Sequence, residues 1–400
     1  MKNAPKILGL DVSKSSVSAC LLNEKPNEPR KFYYSCQFYD FSANRKDLDA
    51  MLALKPDIAI LEPTGTNYSK IWSEHLTRNG VEVKLVGHRE LRSYRAHQLG
   101  LPDKDDNADA LALACYWFDY NPDPKRFVKN YDAQASRVRN LVLRLEHLNR
   151  LQSPVINRLR QDLAWQFPEI ALVQSRRGTN GSLPLLWAWM CNQRTSKRYD
   201  MLYSKTIGLG LEVSTRERAG IICNLQNQEY CIEEELRSRL RETCFTPYFQ
   251  VFQEFGFGFR LSAILIAYIY PIEHFLLDGK EDIQFHLGRN SKKPTKRYLS
   301  LRRFQKVLGL APSMEASGDK KGVKTSNGSR ICRKAIWQWV FSSLEPKKSR
   351  LNNPTVKALC EYLDAEKAGG RPIALVRSRV AVKAAKLLFA KLVDATKHVE

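Results

Sequence analysis

The chain has 400 residues, 64 Lys and Arg against 42 Asp and Glu, and a formal net charge of +22. Its 43% hydrophobic and 10% aromatic content excludes a mainly disordered chain, and the length allows two or three domains. The longest apolar run, residues 261–270, falls far short of the ~20 a membrane-spanning helix needs, and nine scattered cysteines without a CxxC pair exclude a disulfide framework or zinc site.

Residues 6–12 (Lys-Ile-Leu-Gly-Leu-Asp-Val) form an apolar run ending in a carboxylate and predict a first strand, with no basic-then-apolar leader before it. Runs 17–22 and 32–41 follow, separated by turn-forming residues 23–30, and predict a three-stranded antiparallel start. Residues 48–54 read as a helix and 57–61 as a short buried strand ending at Glu62-Pro63-Thr64-Gly65. A helix over 68–79, a strand over 81–86, a basic connection and a helix over 106–118 complete an alternation that predicts an α/β sheet with parallel strands.

Asp11 and Glu62 each close a strand, while Asp106 and Asp109, three apart, share one face of a helix start. Acids at a helix start also cap it and complement its dipole, which is all that Asp103 and Asp105 need do. Four carboxylates converging without basic partners would repel one another unless a divalent cation bound there. Such hard oxygen ligands select Mg²⁺ (or Mn²⁺), and paired ions of this kind serve phosphodiester chemistry. The set therefore predicts metal-dependent phosphoryl transfer.

The order Gly9-Leu10-Asp11-Val12-Ser13-Lys14, Leu61-Glu62-Pro63-Thr64-Gly65, then Lys104-Asp105-Asp106-Asn107-Ala108-Asp109-Ala110 resembles the DEDD transposases of the insertion-sequence-110 family. Asp105 stands where the family's usual motif has Thr. The resemblance implies a RuvC-like catalytic domain of RNase H fold over residues 1–125, with Asp11, Glu62, Asp106 and Asp109 as catalytic metal ligands.

In the middle, Val138, Leu141, Leu145, Leu148, Val155 and Leu159 recur at heptad spacing, with Gln152 at one seam position and Pro154 expected to interrupt a continuous helix by a kink or a helical hairpin. The pattern alone fits equally a helix packed on its own domain and a coiled coil between subunits. The family resemblance favours the coiled coil, placed in a helical segment over 126–200, with a mainly α-helical transposase domain over 201–400.

The charge is uneven. Residues 1–120 are neutral, with 16 basic and 16 acidic residues, so the whole surplus lies beyond them. Residues 289–334 carry 14 basic residues against Glu315 and Asp319 alone, a field suited to a polyanion. Arg289, Lys292, Lys293, Lys296 and Arg297, followed by Tyr298, fit phosphate contact with stacking, in an apparent insertion expected to be a nucleic-acid-binding loop. Lys320, Lys321, Lys324, Arg330 and Arg333 extend the basic surface.

Phe255-Gly256-Phe257-Gly258 before an apolar helix resembles the family's Pro-Gly-Ile-Gly turn, with Phe255 in the Pro place, and is a candidate phosphate-holding helix start. Gly309-Leu310-Ala311-Pro312 followed by Ser317-Gly318 resembles the family's second signature, in which the serine before glycine is the nucleophile. Ser329 and Cys332 stand where that signature has Asn and Leu. On chemistry alone Ser313, Ser326 and Ser329 compete with Ser317, because a serine hydroxyl needs a base or metal and positive charge to react.

The resemblance implies an RNA-guided DNA transposase that cuts and rejoins strands through a phosphoserine link. Its partners would be double-stranded target and donor DNA, a structured non-coding guide RNA, and further copies in a homodimer or homotetramer, in the cytoplasm at the nucleoid. Three rivals differ by test. A junction endonuclease would use water as nucleophile, a non-catalytic nucleic-acid-binding relative would tolerate loss of Asp11, and an actin-like ATPase would need a second glycine-rich phosphate loop that the sequence lacks.

Overall fold

The computed structural model describes residues 4–63, 67–101, 105–128, 133–178, 181–288, 293–315 and 323–397. The chain divides into two compact units, Met1–Tyr131 and Asp132–Glu400. Among the described residues no helix is long and apolar enough to cross a membrane.

The first unit is a mixed sheet carrying helices on both faces. Strands β1 (Ile7–Val12) and β2 (Ser16–Leu22) pair antiparallel, helix α1 (Pro29–Tyr33) follows, and β3 (Tyr39–Ser42) joins β2 antiparallel. After helix α2 (Arg45–Ala53), β4 (Ile58–Leu61) lies parallel to β1; after α3 (Tyr68–Arg78), β5 (Glu82–Leu85) lies parallel to β4. Helices α4 (His88–Ser93) and α5 (Asp106–Tyr120) close the unit, and the strand order is β3-β2-β1-β4-β5. The run 32–41 is thus not one strand. Pro29 lacks the N–H a strand ladder wants and suits a helix's first turn, so α1 takes Phe32 and Tyr33 and only Tyr39 onward is extended.

Strand alternation sorts two cores. Leu8, Leu10 and Val12 face α2 and α3 through Met51, Trp72 and Leu76, while Ile7, Ile58 and Ile60 face the buried side of α5, Ala110, Leu111 and Ala114. Gly9 falls on the α5 side. A Cβ there would stand 2.1 Å from the Ala110 carbonyl oxygen and 2.6 Å from the Ala114 nitrogen, so glycine lets α5 lie directly on β1.

The second unit is mainly helical. Helix α6 (Ala133–Gln166) runs unbroken for 34 residues with Pro154 inside it. Helices α7 (Leu185–Met190), α8 (Lys197–Ser204), α9 (Val213–Arg239), α10 (Thr246–Phe255) and α11 (Phe259–Ile269) follow. A hairpin of β6 (Ile283–Leu287) and β7 (Pro294–Tyr298) precedes α12 (Leu299–Val307). A second antiparallel pair, β8 (Pro312–Glu315) and β9 (Val323–Ser326), precedes α13 (Arg330–Trp339), α14 (Pro354–Ala368) and α15 (Ile373–Thr396).

Two expectations for α6 change. Pro154 neither breaks the helix nor makes a hairpin, and the stripe Val138, Leu141, Leu145, Leu148 is buried by the chain itself, in one core with Ile232 and Leu236 of α9 and Leu265 of α11. Gln152, at the seam, donates to Glu229 of α9 at 2.9 Å, and Arg137 holds Glu235 of α9 with two bonds of 2.6 Å. Intrachain packing of this extent outweighs the one backbone hydrogen bond a proline removes. The heptad spacing records an antiparallel-type helix partner within the unit, and the stripe is not left for another subunit.

Candidate active site and nucleic-acid interface

The four carboxylates named from the sequence come to one edge of the first sheet. In β1 and β4 the register pairs Leu10 with Leu61, so Asp11 and Glu62, the next residues, leave the parallel strands side by side. Both continue the alternation of Ile7–Gly9 and Ile58–Ile60, on the face that α5 covers. The direction of α5 is fixed at its other end: Asp119, in its last turn, pairs at 2.6 Å with Lys25, just beyond Leu22, and Leu22 is the register partner of Ile7. The last turn of α5 therefore sits over the start of β1. Its first turn, with Asp106 and Asp109, points to the edge where Asp11 and Glu62 stand.

Local chemistry explains why α5 begins there. Asp105 is the N-cap: its carboxylate accepts from the Ala108 N–H at 3.1 Å and from the Tyr33 hydroxyl at 2.5 Å. That acceptor pushes the Tyr33 phenol up to about 12. Asp105 thus has the capping role expected of it, and it also anchors α1. Asp106 is exposed, Asp11 half-buried, and Glu62 has a side chain only 14% exposed.

Two of the four acids have basic side chains as partners that the sequence did not suggest. Asp109 is buried and takes two bonds of 2.6 and 2.7 Å from one guanidinium nitrogen of Arg95, itself buried in a wide π-type turn over 94–98. Glu62 contacts Nδ1 of His88, the first residue of α4. Arg95 lies fourteen residues before Asp109 on a separate element, and no local pattern marks it. The supposition that these acids lack basic partners is corrected accordingly.

The donor set is chemically apt for a hard divalent cation, all carboxylate oxygen at one sheet edge. Among the described residues no group of three or more His, Cys, Asp or Glu side chains is close enough together to hold one. Arg95 supplies positive charge to Asp109 there, and the His88 imidazole contacts Glu62.

In the second unit, Ser317, Lys320, Lys321, Arg289 and Lys292 lie outside the described residues, and of Lys324 only the backbone, in β9, is described. What frames the β8–β9 pair is clear. Gly309 (φ +72°) and Gly328 (φ +88°) let the end of α12 touch the start of α13; a Cβ on Gly328 would stand 1.8 Å from the Lys306 carbonyl. Ser329 donates its N–H to the Val307 carbonyl at 2.9 Å and N-caps α13 through Cys332. Arg333 donates to the Gly309 carbonyl at 3.3 Å, and Arg330 is exposed. Cys332 is fully buried, with its thiol pushed up to about 12 by burial, so it packs and does not react. The two residues that depart from the family signature are a cap and a core residue.

Lys293, Lys296 and Arg297 lie on or beside the β6–β7 hairpin, so the segment expected as a loop is a ribbon, exposed along both strands. The Gly256–Gly258 turn forms as expected, with Gly256 left-handed after α10 and Gly258 at the start of α11. Its neighbour Arg260 is spent on Glu229 and Glu233 of α9, and two carboxylates at that helix start disfavour a phosphate.

Two family profiles match this chain. One, for the DEDD transposases of IS110 and described as "Transposase", covers residues 8–168; the other, "Transposase IS116/IS110/IS902 family", covers residues 292–354. The chain belongs to the IS110 family of transposases. It is a DNA transposase/recombinase, and DNA is its partner. No curated protein sequence matches it. The first profile spans all four carboxylates. The second begins just before Lys293 and ends after α13, taking in the glycine-framed β8–β9 pair.

Proposed function

We propose that this transposase cuts and rejoins DNA with Ser317 as nucleophile, at a metal-assisted centre built on Asp11, Glu62, Asp106 and Asp109 in an RNase H-like domain. The observation that carries the reading is the reversed run of α5 over β1, which delivers the Asp106–Asp109 turn to the edge where Asp11 and Glu62 end.

The four carboxylates are the residues that would hold Mg²⁺; when bound, the ion supplies Lewis acidity and charge neutralisation at the scissile phosphate. The protein's own part is to keep these oxygens on one rigid edge. Asp105 caps α5, Gly9 seats it, and Arg95 holds Asp109 against the helix. In the cleavage step the Ser317 hydroxyl oxygen bonds to phosphorus, its proton passes to a base, and the sugar oxygen leaves with the electron pair of the broken P–O bond. The phosphoserine conserves the phosphodiester, so the reverse attack by a sugar hydroxyl rejoins DNA without outside energy. Arg330, Arg333 and the lysines at 320, 321 and 324 supply charge for phosphate. The surplus of +22 is compatible with RNA as well as DNA; on this reading a structured guide RNA binds beside DNA and the transposase works as a dimer or tetramer at the nucleoid.

The test is strand cleavage with Mg²⁺ and RNA from the native locus, comparing wild type with Asp11→Ala and Ser317→Ala. A DNA–protein adduct lost in both variants is expected. Cleavage surviving in Ser317→Ala replaces this mechanism with water attack, and cleavage unchanged in Asp11→Ala removes the carboxylate centre altogether.

A further inference from the structure

We propose that the β6–β7 hairpin binds unpaired DNA by stacking bases on one of its faces, with Phe285 and Tyr298 as the platforms; this rests on the reading that the basic segment handles nucleic acid. The cross-strand register separates two faces. Ile283, Phe285 and Leu287 stand opposite Tyr298, Lys296 and Pro294, while Gln284 and His286 stand opposite Arg297 and Thr295 on the reverse. The first face is apolar and aromatic with one lysine opposite Phe285, and its Phe285 and Leu287 are 65% and 70% exposed.

A two-stranded ribbon has no core of its own to hide such a face. Lys296 reaches over the Phe285 ring at 5.7 Å, which accounts for part of the hairpin's own stability but leaves Ile283, Leu287 and Tyr298 in water. The ribbon is nevertheless firmly mounted. At its foot Asp282 is buried, its carboxylate accepts from Arg303 at 2.5 Å, and its N–H donates to the Ser300 hydroxyl oxygen at 2.9 Å. A rigid stem presenting an uncovered aromatic face describes a binding device rather than a slack connection.

Charge selects the occupant. The hairpin's described residues, 283–288 and 293–298, include Lys293, Lys296 and Arg297 and no acid, and α12 adds Arg302 and Lys306. The partner must offer flat apolar surfaces and a polyanionic backbone together, which is the chemistry of nucleotides. A duplex buries its base faces in the stack, so only an unpaired stretch can meet Phe285 and Tyr298 face to face. A DNA transposase opens such stretches whenever it exchanges strands.

The full-length protein would be titrated with a fluorescein-labelled DNA single strand of about 15 nucleotides, a duplex of the same sequence, and the matching RNA single strand. Phe285→Ala is expected to weaken the DNA single strand about five- to a hundredfold, with duplex affinity and salt slope unchanged and with recovery in Phe285→Trp. Lys296→Gln with Arg297→Gln should weaken single strand and duplex alike and lower the salt slope by about 1–2. Wild-type single-strand affinity in Phe285→Ala overturns the stacking proposal; if the charge pair still weakens binding, the basic-segment reading survives, and if neither variant changes anything both fall. A loss confined to the RNA strand, or a fall in sedimentation mass with DNA binding intact, also overturns it, in favour of RNA or a protein partner respectively. All three substituted positions are exposed, and circular dichroism checks that the fold is kept.

Discussion

One nitrogen of Arg95 holds both carboxylate oxygens of Asp109, at 2.6 and 2.7 Å, with each side chain about nine-tenths buried. Breaking such a pair from one side leaves an uncompensated charge in low dielectric, at a cost of about 3–5 kcal/mol. Arg95→Met is therefore expected to lower unfolding stability in urea by about that amount. Adding Asp109→Asn to it should recover most of the loss, because the stranded charge is then gone. Equal stability of the single and double variants would show that Arg95 contributes by packing alone.

The acids at the sheet edge yield a second prediction that does not depend on turnover. A cation bound by the native state alone raises the melting temperature by mass action. Millimolar Mg²⁺ is expected to raise the Tm of the wild type, and the rise should shrink in Asp11→Asn and in Glu62→Gln. Asp49→Asn, an exposed control paired with Arg45 on α2, should keep the full rise. An equal response in all four proteins would assign the effect to general screening of surface charge.

Gly9 is the contact that sets how near α5 lies to β1, with the Ala110 oxygen 2.1 Å from where a Cβ would be. Backbone cannot swing aside as a side chain can, so Gly9→Ala must push α5 off the sheet and carry Asp106 and Asp109 with it. Overpacking of this kind costs about 1–3 kcal/mol. The prediction is a lower Tm together with loss of DNA cleavage, although no acid has been altered. Full cleavage in a destabilised variant would mean that the position of α5 is not critical.

The parts of this site legible in the sequence are those set by local pattern. Asp11 and Glu62 stood out because apolar runs ended at them, and Asp106 with Asp109 because a helix start placed them one turn apart. The strand order and the direction of α5 were not legible, since they depend on Gly9 and on Lys25 meeting Asp119, 94 residues away. Arg95 and His88 escaped for the same reason: each finds its acid across a gap in the chain. The heptad stripe on α6 was read correctly as a buried helical face, but no spacing tells whether the partner helix belongs to the same chain. Composition alone marks the basic segment; its division into an apolar, aromatic face and a polar face needs the β6–β7 register.

Glu235 of α9 is held below its usual 4.5 by the two bonds from Arg137 of α6. A depressed carboxylate contributes stability that is complete above its unfolded value and disappears as the pH falls through the folded one. The Tm difference between wild type and Glu235→Gln should be positive at pH 7 and vanish as the pH falls below the ordinary glutamate range and the group protonates in the folded protein. Both side chains are more than a third exposed, so solvent screening keeps the effect small, well under about 1 kcal/mol, and high salt should reduce it further. A difference that persists unchanged into acid, however low the pH, would mean that the glutamate acts by packing.

Pro154 sits inside α6 with helix on both sides, so the ladder lacks one N–H there and the ring crowds the carbonyl four residues back, that of Arg150. Nothing at this position needs the restricted φ of proline, because the helix is fixed by its packing on α9 and by the Gln152–Glu229 and Arg137–Glu235 contacts on that neighbour. Pro154→Ala restores the missing bond and the best helix former, and is expected to stabilise the protein by about 1–3 kcal/mol in urea. The gain is smaller than the full penalty of a mid-helix proline because proline also stiffens the unfolded chain, a benefit that alanine gives up. If the proline instead supplies a bend that the DNA-bound assembly uses, the same variant gains stability and loses transposition, whereas a purely tolerated proline leaves transposition intact. Unfolding and transposition measured side by side on Pro154→Ala separate the two.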